Sequence, residues 1–298
     1  MQRFFNSSFG VNLGLTLGRL LPPKVGYRLS AFGARILARR TDSPMVKAVR
    51  ANQAVIRGKS TTPEELDQAV LEVFEHAGRC FVDLYHNLQN PEGMKALCPP
   101  TGDLERLIAW SQDDEFGAFV VAPHLSNFDL ELLAAAYRGL TGQVLTYGNP
   151  SGGYKIQNQI RAQTGLNITP VSSDVHLQAV EKLQNGGFVI TAIDRPIRRK
   201  AHYMNFFGRP SPLPAGHIRM ALEANVPVIA AAVELKADGL YYLEVSDPLE
   251  LIRHADPDEE IRINGEAVLR ILESFIHRAP GQWLMYYPAW PNRVQNGE

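Results

Sequence analysis

The chain has 298 residues, of which 45% are hydrophobic and 20% charged, enough for one large or two small domains with a sizeable core. Its formal net charge of −1 gives no overall basic character, which argues against a nucleic-acid-binding protein. The two cysteines form no CxxC pair and the eight histidines no HExxH pattern, so we predict no metal site. The cysteine usage favours a reducing or redox-indifferent compartment.

The N-terminal segment FFNSSFGVNLGLTLGRLLPP (4–23) is apolar, but glycines, Asn12 and Arg19 interrupt it. Its longest uncharged apolar stretch is well short of the ~20 residues that a membrane-spanning helix needs, and no clear signal-peptide cleavage site follows. Basic ARILARR (34–40) comes next and favours anionic lipid. We therefore predict a segment of about residues 4–40 that lies on a membrane surface. A helix packed on its own domain is the alternative.

Helical patterns dominate the first 115 residues. The clearest is STTPEELDQAVLEVFEHAGRCFVDLYHNL (60–88), with a capping hydroxyl at 60–62, Pro63 in the first turn and apolar residues at helical spacing. Cys80 falls on that apolar face, which predicts a packing role. We predict a helical N-terminal region (1–115) and an α/β region (116–298) within one integrated domain.

From about residue 117, short apolar runs alternate with amphipathic stretches. This rhythm predicts an α/β fold with a mainly parallel sheet flanked by helices. An Asp-Gly turn at 238–239 predicts an antiparallel hairpin at the end of the series. The predicted strands are 117–122, 143–147, 167–171, 187–193, 226–233, 240–245 and 283–287, and the predicted helices are 128–138, 154–164, 174–185, 214–224 and 262–278.

A histidine and an aspartate follow the first predicted strand, in AFVVAPHLSNFDLELLAAA (118–136). Groups five residues apart on a straight helix point about 140° away from each other, because each residue turns the helix by roughly 100°. Here the strand ends at His124 and Asp129 lies in the first turn of the next helix, so a bend brings the two within reach in a catalytic arrangement. Alternatively, Ser126-x-x-Asp129 is a capping box with no catalytic role.

Three later stretches near predicted strand ends are also candidates for a functional role. GYKIQNQIRAQTG (153–165) carries Arg161, FVITAIDRPIRRK (188–200) carries Asp194 and Arg195, and ANVPVIAAAV (224–233) is a proline-containing buried strand. In an open α/β sheet, ligands bind beyond the carboxyl ends of the strands.

Taken together, this order of blocks resembles the glycerolipid and lipid A acyltransferase superfamily. An HxxxxD block comes first, a basic block follows, then an acid after a strand, and finally a proline-containing apolar strand. NFFGRPSPLPAGHIRMALEANVPVIAA (205–231) and VKAVRANQAVIRGKS (46–60) are most similar to the bacterial lipid A late acyltransferases and their phosphatidylinositol mannoside relatives. Asp194-Arg195-Pro196 replaces the Glu-Gly-Thr-Arg of phosphatidate-forming members, which argues against a glycerol phosphate acceptor.

The resemblance implies His/Asp catalysis. A neutral His124 would serve as general base near pH 7, and Asp129 would accept its other ring N–H and stabilise the imidazolium. The absence of a GxSxG elbow agrees with direct attack by the acceptor and argues against a serine hydrolase. The predicted substrate-binding residues are Asn127, Arg161, Asp194, Arg195, Phe207 and Gly216.

Alternatives stay open for these residues. Arg161 is a phosphate ligand or an exposed helix residue, and Asp194 holds Arg161 or Arg195 or is a turn residue. For the basic run 198–200 we predict a loop exposed to solvent. Phe207, with its neighbour Phe206, lines an acyl chain or packs in the core.

The implied function is transfer of a fatty acyl group from a thioester to a hydroxyl of a membrane glycolipid, lipid A-like or related. The implied partners are that lipid acceptor, an acyl carrier protein or coenzyme A thioester as co-substrate with no bound cofactor, and a membrane surface. The implied location is the cytoplasmic side of the plasma (inner) membrane, peripheral or N-terminally anchored. The alternatives are a lysophospholipid acyltransferase and a non-catalytic lipid-binding protein.

Overall fold

The computed structural model describes residues 16, 18, 20–150, 152–197 and 202–291. Helices precede the first strand, as the sequence predicts. None of the helices in these ranges combines the length and the apolar character needed to cross a bilayer. The five helices before the sheet are α1 (Pro23–Ala38), α2 (Pro44–Arg57), α3 (Pro63–Asn87), α4 (Pro91–Leu97) and α5 (Gly102–Ser111).

Helix α3 is the longest of these and begins as the sequence predicts. Thr62 and Glu65 form a reciprocal capping box, and Pro63 occupies the first turn. Helix α1 lies against α3 at close range, because a Cβ on Gly78 would come within 2.9 Å of the Ser30 side chain. Valines and a phenylalanine of α2 and α3 close a small core beneath α1. Cys80 is buried, which confirms its packing role.

The α/β region contains a six-stranded sheet in the order β3-β2-β4-β1-β7-β8. All neighbours are parallel except β7 and β8, which are joined through the predicted Asp-Gly turn. The strands are β1 (Ala118–Ala122), β2 (Gln143–Thr146), β3 (Asn167–Pro170), β4 (Phe188–Ala192), β7 (Val228–Leu235) and β8 (Tyr241–Val245).

Two hydrophobic cores lie on opposite faces of this sheet. Alternate residues of each strand enter alternate cores, as with Phe119 on one face and Val120 on the other. Strands covered on both faces read as continuous apolar runs, which is why they were predictable. The remaining helices are α6 (Phe128–Ala136), α7 (Gly153–Ala162), α8 (Ser173–Gln184), α9 (Gly216–Ala224) and α10 (Pro257–Arg278), followed by a 3-10 turn (Pro280–Gln282).

The structure departs from the sequence prediction at two places after β4. The predicted strand 283–287 is irregular chain, with one isolated bridge between Trp283 and Leu125. The Asn52 side chain of α2 takes the place of a strand neighbour, because it donates to the carbonyls of Met285 and Tyr287. A separate hairpin, β5 (His202–Phe206) with β6 (Arg209–Leu213), was not predicted. Its two prolines in β6 conceal the strand pattern.

Candidate active site

The candidate site lies where β1 and β4 end side by side. The two strands are parallel, and their last residues, Ala122 and Ala192, are register partners. His124 and Asp194 each follow that pair by two residues, so the sheet delivers them to the same point at its carboxyl edge. They are 70 positions apart in the sequence, and only the strand order makes them neighbours.

His124 is paired with Asp194. Its Nδ1 lies 2.6 Å from Asp194 Oδ1, and its backbone N–H donates to Asp194 Oδ2 at 2.8 Å. The indole Nε1–H of Trp283 donates to the same Oδ2 at 2.7 Å. Asp194 is fully buried, whereas the His124 side chain is 28% exposed. The carboxylate thus holds one ring nitrogen and leaves the other side of the imidazole accessible.

The charges of this pair support each other. Burial alone lowers the pKa of His124, but the charge and hydrogen bond of Asp194 outweigh it, and the net pKa is raised above 6.5. Burial alone raises the pKa of Asp194, but the His124 charge and the hydrogen bonds from His124 and Trp283 bring the net pKa below its usual value. Asp194 is therefore ionised at neutral pH, the state needed to stabilise an imidazolium.

Asp129 does not contact the histidine, which corrects the sequence prediction. It accepts hydrogen bonds from Arg161, at 2.8 Å from Nε and 2.6 Å from Nη2. Asn158, one helical turn before Arg161 on α7, accepts from the Nη1 of that arginine at 3.0 Å. Asp129 adds a smaller upward influence to the His124 pKa, so its charge reaches the site without a hydrogen bond. The bend at 124–127 points Asp129 toward α7, while β4 supplies the acid that His124 contacts.

The capping-box alternative is also wrong. Ser126 has φ of 51° and its hydroxyl lies 3.0 Å from Nε2 of His76 on α3. Asn127 occupies the first cap position of α6 and makes no side-chain cap bond. Its amide donates to the Cys80 carbonyl at 3.0 Å. Helix α3 thus fixes the turn that carries His124, and Asn127 as a substrate ligand stays a prediction.

The family model for bacterial lipid A biosynthesis acyltransferases matches residues 2–292. The chain belongs to this family. It is also similar to a phosphatidylinositol mannoside acyltransferase of Mycolicibacterium smegmatis (strain ATCC 700084 / mc(2)155), with 22% identity over 292 residues. That match covers 95% of this chain and 91% of the relative. The protein is thus an acyltransferase, and the resemblance read from its blocks is confirmed.

In this acyltransferase, Arg195 lies close to His124. Its guanidinium lies 3.9 Å from the ring centroid of Tyr287, a stacked cation–π contact. Its charge lowers the pKa of His124, opposing Asp194, which places it within electrostatic range of the imidazole. No carboxylate in the described ranges pairs with Arg195, whereas Arg161 is held by Asp129. The cations 198–200 lie outside the described residues.

The burial of Arg161 excludes one of its two predicted roles, that of an exposed helix residue. Its side chain is only 14% exposed, so it is not a free arginine on a helix surface. Asp194 holds neither Arg161 nor Arg195, contrary to the prediction, because its three hydrogen bonds go to His124 and Trp283.

The remaining predicted site residues of the acyltransferase lie in an aromatic cluster or at the start of a helix. Phe206 is fully buried, and half-buried Phe207, with φ of 50°, packs at a tilt against Trp283 and edge-on against Trp290. Gly216 is the first residue of α9 and is exposed. Roles of Phe207 and Gly216 in substrate binding stay predictions.

Sequence reasoning missed Trp283 and His76. Trp283 stood in an apolar run that predicted a strand, and His76 stood on the helix 60–88 as one polar position among many. No local pattern marks either residue, because their partners Asp194 and Ser126 lie 89 and 50 positions away.

Proposed function

We propose that this protein transfers a fatty acyl group from a thioester to a hydroxyl of a membrane glycolipid, with His124 as general base. One observation carries this proposal: the paired His124 and Asp194, with Nδ1 held by a buried carboxylate and the ring partly exposed at the sheet edge. A histidine so held is typical of a base that takes a proton from an attacking hydroxyl.

The step proceeds by direct transfer. His124 Nε2 accepts the proton of the acceptor hydroxyl as its oxygen forms a bond to the thioester carbonyl carbon. The tetrahedral intermediate then expels the thiolate, which takes the proton back from the imidazolium. The products are the acylated lipid and a free thiol, and His124 returns to its neutral form. The donor is an acyl carrier protein or coenzyme A thioester, and no bound cofactor takes part.

Asp194 supports this step where the sequence had suggested Asp129. Its bond to Nδ1 fixes the tautomer in which Nε2 is free to accept a proton. Its negative charge stabilises the imidazolium that forms during attack. The proposed division of labour therefore gives Asp194 to the base and Asp129 to Arg161.

Arg195 and Arg161 are the proposed anion ligands. A guanidinium matches phosphate oxygens bidentately, and phosphate is present in many membrane lipid headgroups and in both thioester carriers. Arg195 is the better candidate, because it has no carboxylate partner in the described part of the chain and lies beside His124. Arg161 is oriented in advance by Asp129.

The proposed location is the cytoplasmic side of the plasma membrane, through peripheral contact. Helix α1 carries an exposed apolar stripe at spacings i, i+4, i+7 and i+11, on the side away from α3. Phe32 in this stripe is 63% exposed and Leu29 is 55% exposed. The α1 stripe consists of Val25, Leu29, Phe32 and Ile36.

Charge around the α1 stripe fits an anionic surface. The first 41 residues hold seven Lys or Arg residues and no Asp or Glu, so they carry +7 against −8 for the rest of the chain. Lys24 and Arg28 border the stripe and are exposed. An amphipathic helix with a cationic border is the pattern of a helix that lies in the bilayer interface. Residues 1–15, 17 and 19 lie outside the described residues, so that part of the predicted 4–40 segment stays a prediction.

The test combines lipid analysis with a purified reaction. Mass spectrometry of a strain lacking this gene should show the loss of one acylated glycolipid and accumulation of its less acylated form. The lipid extract of that strain, mixed with pure protein and palmitoyl-coenzyme A or palmitoyl-acyl carrier protein, should release thiol and restore the missing species. Loss of a diacyl phospholipid instead would assign a lysophospholipid acceptor. No thiol release with either donor would identify a non-catalytic lipid-binding protein.

A further inference from the structure

The short segment 282–284 contacts both members of the catalytic pair: Trp283 bonds Asp194, and Leu284 bonds the backbone of His124. The Trp283 backbone forms an antiparallel bridge with Leu125, next to His124. On either side of it, the Gln282 carbonyl accepts from Ser126 N–H and the Leu284 N–H donates to the His124 carbonyl, both at 2.8 Å. The segment 282–284 therefore clamps the turn that carries the base.

The side chain of the same residue reaches the acid. Its indole Nε1–H donates to Asp194 Oδ2 at 2.7 Å, and the ring is 1% exposed. The rings of Phe206, Phe207 and Trp290 surround it at centroid distances of 6.0 to 6.5 Å, which leaves the indole little freedom to turn. A donor fixed in this way orients the plane of the carboxylate and also stabilises its negative charge.

We propose that Trp283 is a positioning residue for the acyl transfer: its indole N–H holds Asp194 in the orientation that presents Oδ1 to His124 Nδ1. The inference rests on the proposed function of the pair, and it assigns a role to the segment after α10. Trp283 touches no reacting atom.

The indole bond also lowers the proton affinity of His124. With His124 neutral, Asp194 carries a full negative charge in a dry site, and the indole bond stabilises it strongly. With His124 protonated, the imidazolium already neutralises that charge, so the same bond contributes less. Loss of the indole N–H therefore costs more for the neutral form of His124 and raises its pKa.

Other charges near His124 are Arg195, whose cation lowers the pKa, and Asp129 on α6, whose anion raises it. Neither contacts Trp283 in the described ranges, so a Trp283 substitution leaves both in place. The change in titration can then be assigned to the Asp194 bond.

The test variant is Trp283→Phe, which keeps an aromatic ring and removes the N–H donor. We expect kcat to fall about ten- to hundredfold near pH 7, the range for one charge-assisted hydrogen bond, with KM changed less than about threefold. The loss should shrink as the pH rises, because the raised pKa leaves more of the base protonated at neutral pH. The assay uses palmitoyl-coenzyme A or palmitoyl-acyl carrier protein with the lipid extract of a strain lacking the gene.

Trp290→Phe is the matched control. Trp290 lies in the same aromatic cluster, but its indole donates to the Phe206 carbonyl at 2.9 Å and makes no contact with Asp194. We expect this variant to keep the wild-type pH profile. Equal, pH-independent losses in both variants would show a packing role and overturn the proposal.

Two further measurements separate this inference from the proposed function. In an Asp194→Asn background, Trp283→Phe should add less than about threefold, because no carboxylate charge remains to be held. NMR titration of the His124 imidazole should show a higher pKa in Trp283→Phe than in the wild type, whatever lipid the protein acylates. An unchanged His124 titration would reject the positioning role even if acyl transfer is confirmed, and a raised pKa without acyl transfer would reject only the reaction.

Discussion

The sheet edge around His124 and the exposed face of α1 use charge in opposite ways. At the sheet edge a fully buried Asp194 has three donors, and each contact depends on position to a fraction of an ångström. On α1 the cations that border the stripe are exposed, and in the proposed surface binding they act together as a diffuse positive field. The difference teaches that the proposed chemistry depends on the positions of single atoms, whereas the proposed surface binding depends on the summed charge and apolar area of many exposed residues. Single substitutions should therefore abolish the first function and only weaken the second.

The largest effect is expected from His124→Ala. Removal of a positioned proton acceptor should lower turnover by about 10² to 10⁴-fold. Binding to anionic vesicles should be unchanged, because His124 contributes nothing to the α1 stripe. Near-normal turnover of the folded variant would refute the general-base mechanism, and a parallel loss of vesicle binding would refute the separation of the two regions.

Asp194→Asn should follow, with a loss of kcat on the order of 10²-fold. The wild-type pKa of His124 is raised by Asp194, so activity should fall as the pH drops through a value above 6.5. Without that charge, burial lowers the His124 pKa, and the acid limb should move to lower pH. A pH–rate profile of kcat/KM checks both statements. An acid limb that stays in place would mean that Asp194 does not set the proton affinity of the base.

Asp129→Asn should have a smaller effect of a different kind. It removes the partner of Arg161 and leaves the His124–Asp194 pair intact, so we expect KM for a phosphate-containing substrate to rise about tenfold with kcat nearly kept. The double variant with Arg161→Gln should be no worse than the Arg161→Gln variant alone. A loss in kcat as large as that of Asp194→Asn would restore Asp129 to the role that the sequence had suggested.

The α1 stripe should be sensitive to apolar area and salt. Phe32→Ser with Ile36→Ser removes two exposed apolar side chains and should weaken sedimentation with anionic vesicles about tenfold or more, with turnover on detergent-dispersed lipid kept. Ile252→Ser is the matched control, because Ile252 is 64% exposed and lies far along the chain from α1. Binding should fall with added salt. Equal effects of the control and the test variant would exclude the stripe as the membrane contact.

The last prediction concerns stability near the site and not activity. Burial, with a further contribution from Arg79, lowers the pKa of His76 to about 4, so His76 is neutral in the folded state. The unfolded chain takes up this proton near pH 6.5, so stability is lost as the pH falls from about 6.5 toward 4. His76→Gln should make the slope of the unfolding free energy shallower by about 1.4 kcal/mol per pH unit in that window. Urea unfolding at a series of pH values measures the slope, and an unchanged slope would contradict a neutral, buried His76.

Much of the fold was predictable because the signals are local. The buried strands β1, β4 and β7 are mainly apolar runs, and a capping box marks the first residues of α3. The hairpin β5–β6 was not predictable, because prolines interrupt the strand pattern of β6. The irregular course of 283–287 was not predictable either, because an asparagine of α2 supplies hydrogen bonds to its backbone carbonyls.

The candidate site divides in the same way. The sequence placed His124, Arg161, Asp194 and Arg195 at strand ends or on the helices that follow, since the end of a buried apolar run is visible locally. It paired His124 with Asp129 because those two are close in the chain. Only the strand order, with β4 beside β1, brought Asp194 to His124.

By itself, then, the sequence determined which residue types stand at the carboxyl edge of the sheet and where the apolar and basic residues of α1 recur. These properties depend on periodicity and composition, which neighbouring residues set. The tertiary structure decided which acid holds His124, which arginine is left without a carboxylate partner in the described ranges, and that Trp283 contacts Asp194. Such pairings depend on strand order and on packing between segments far apart in the chain, and no local pattern encodes them.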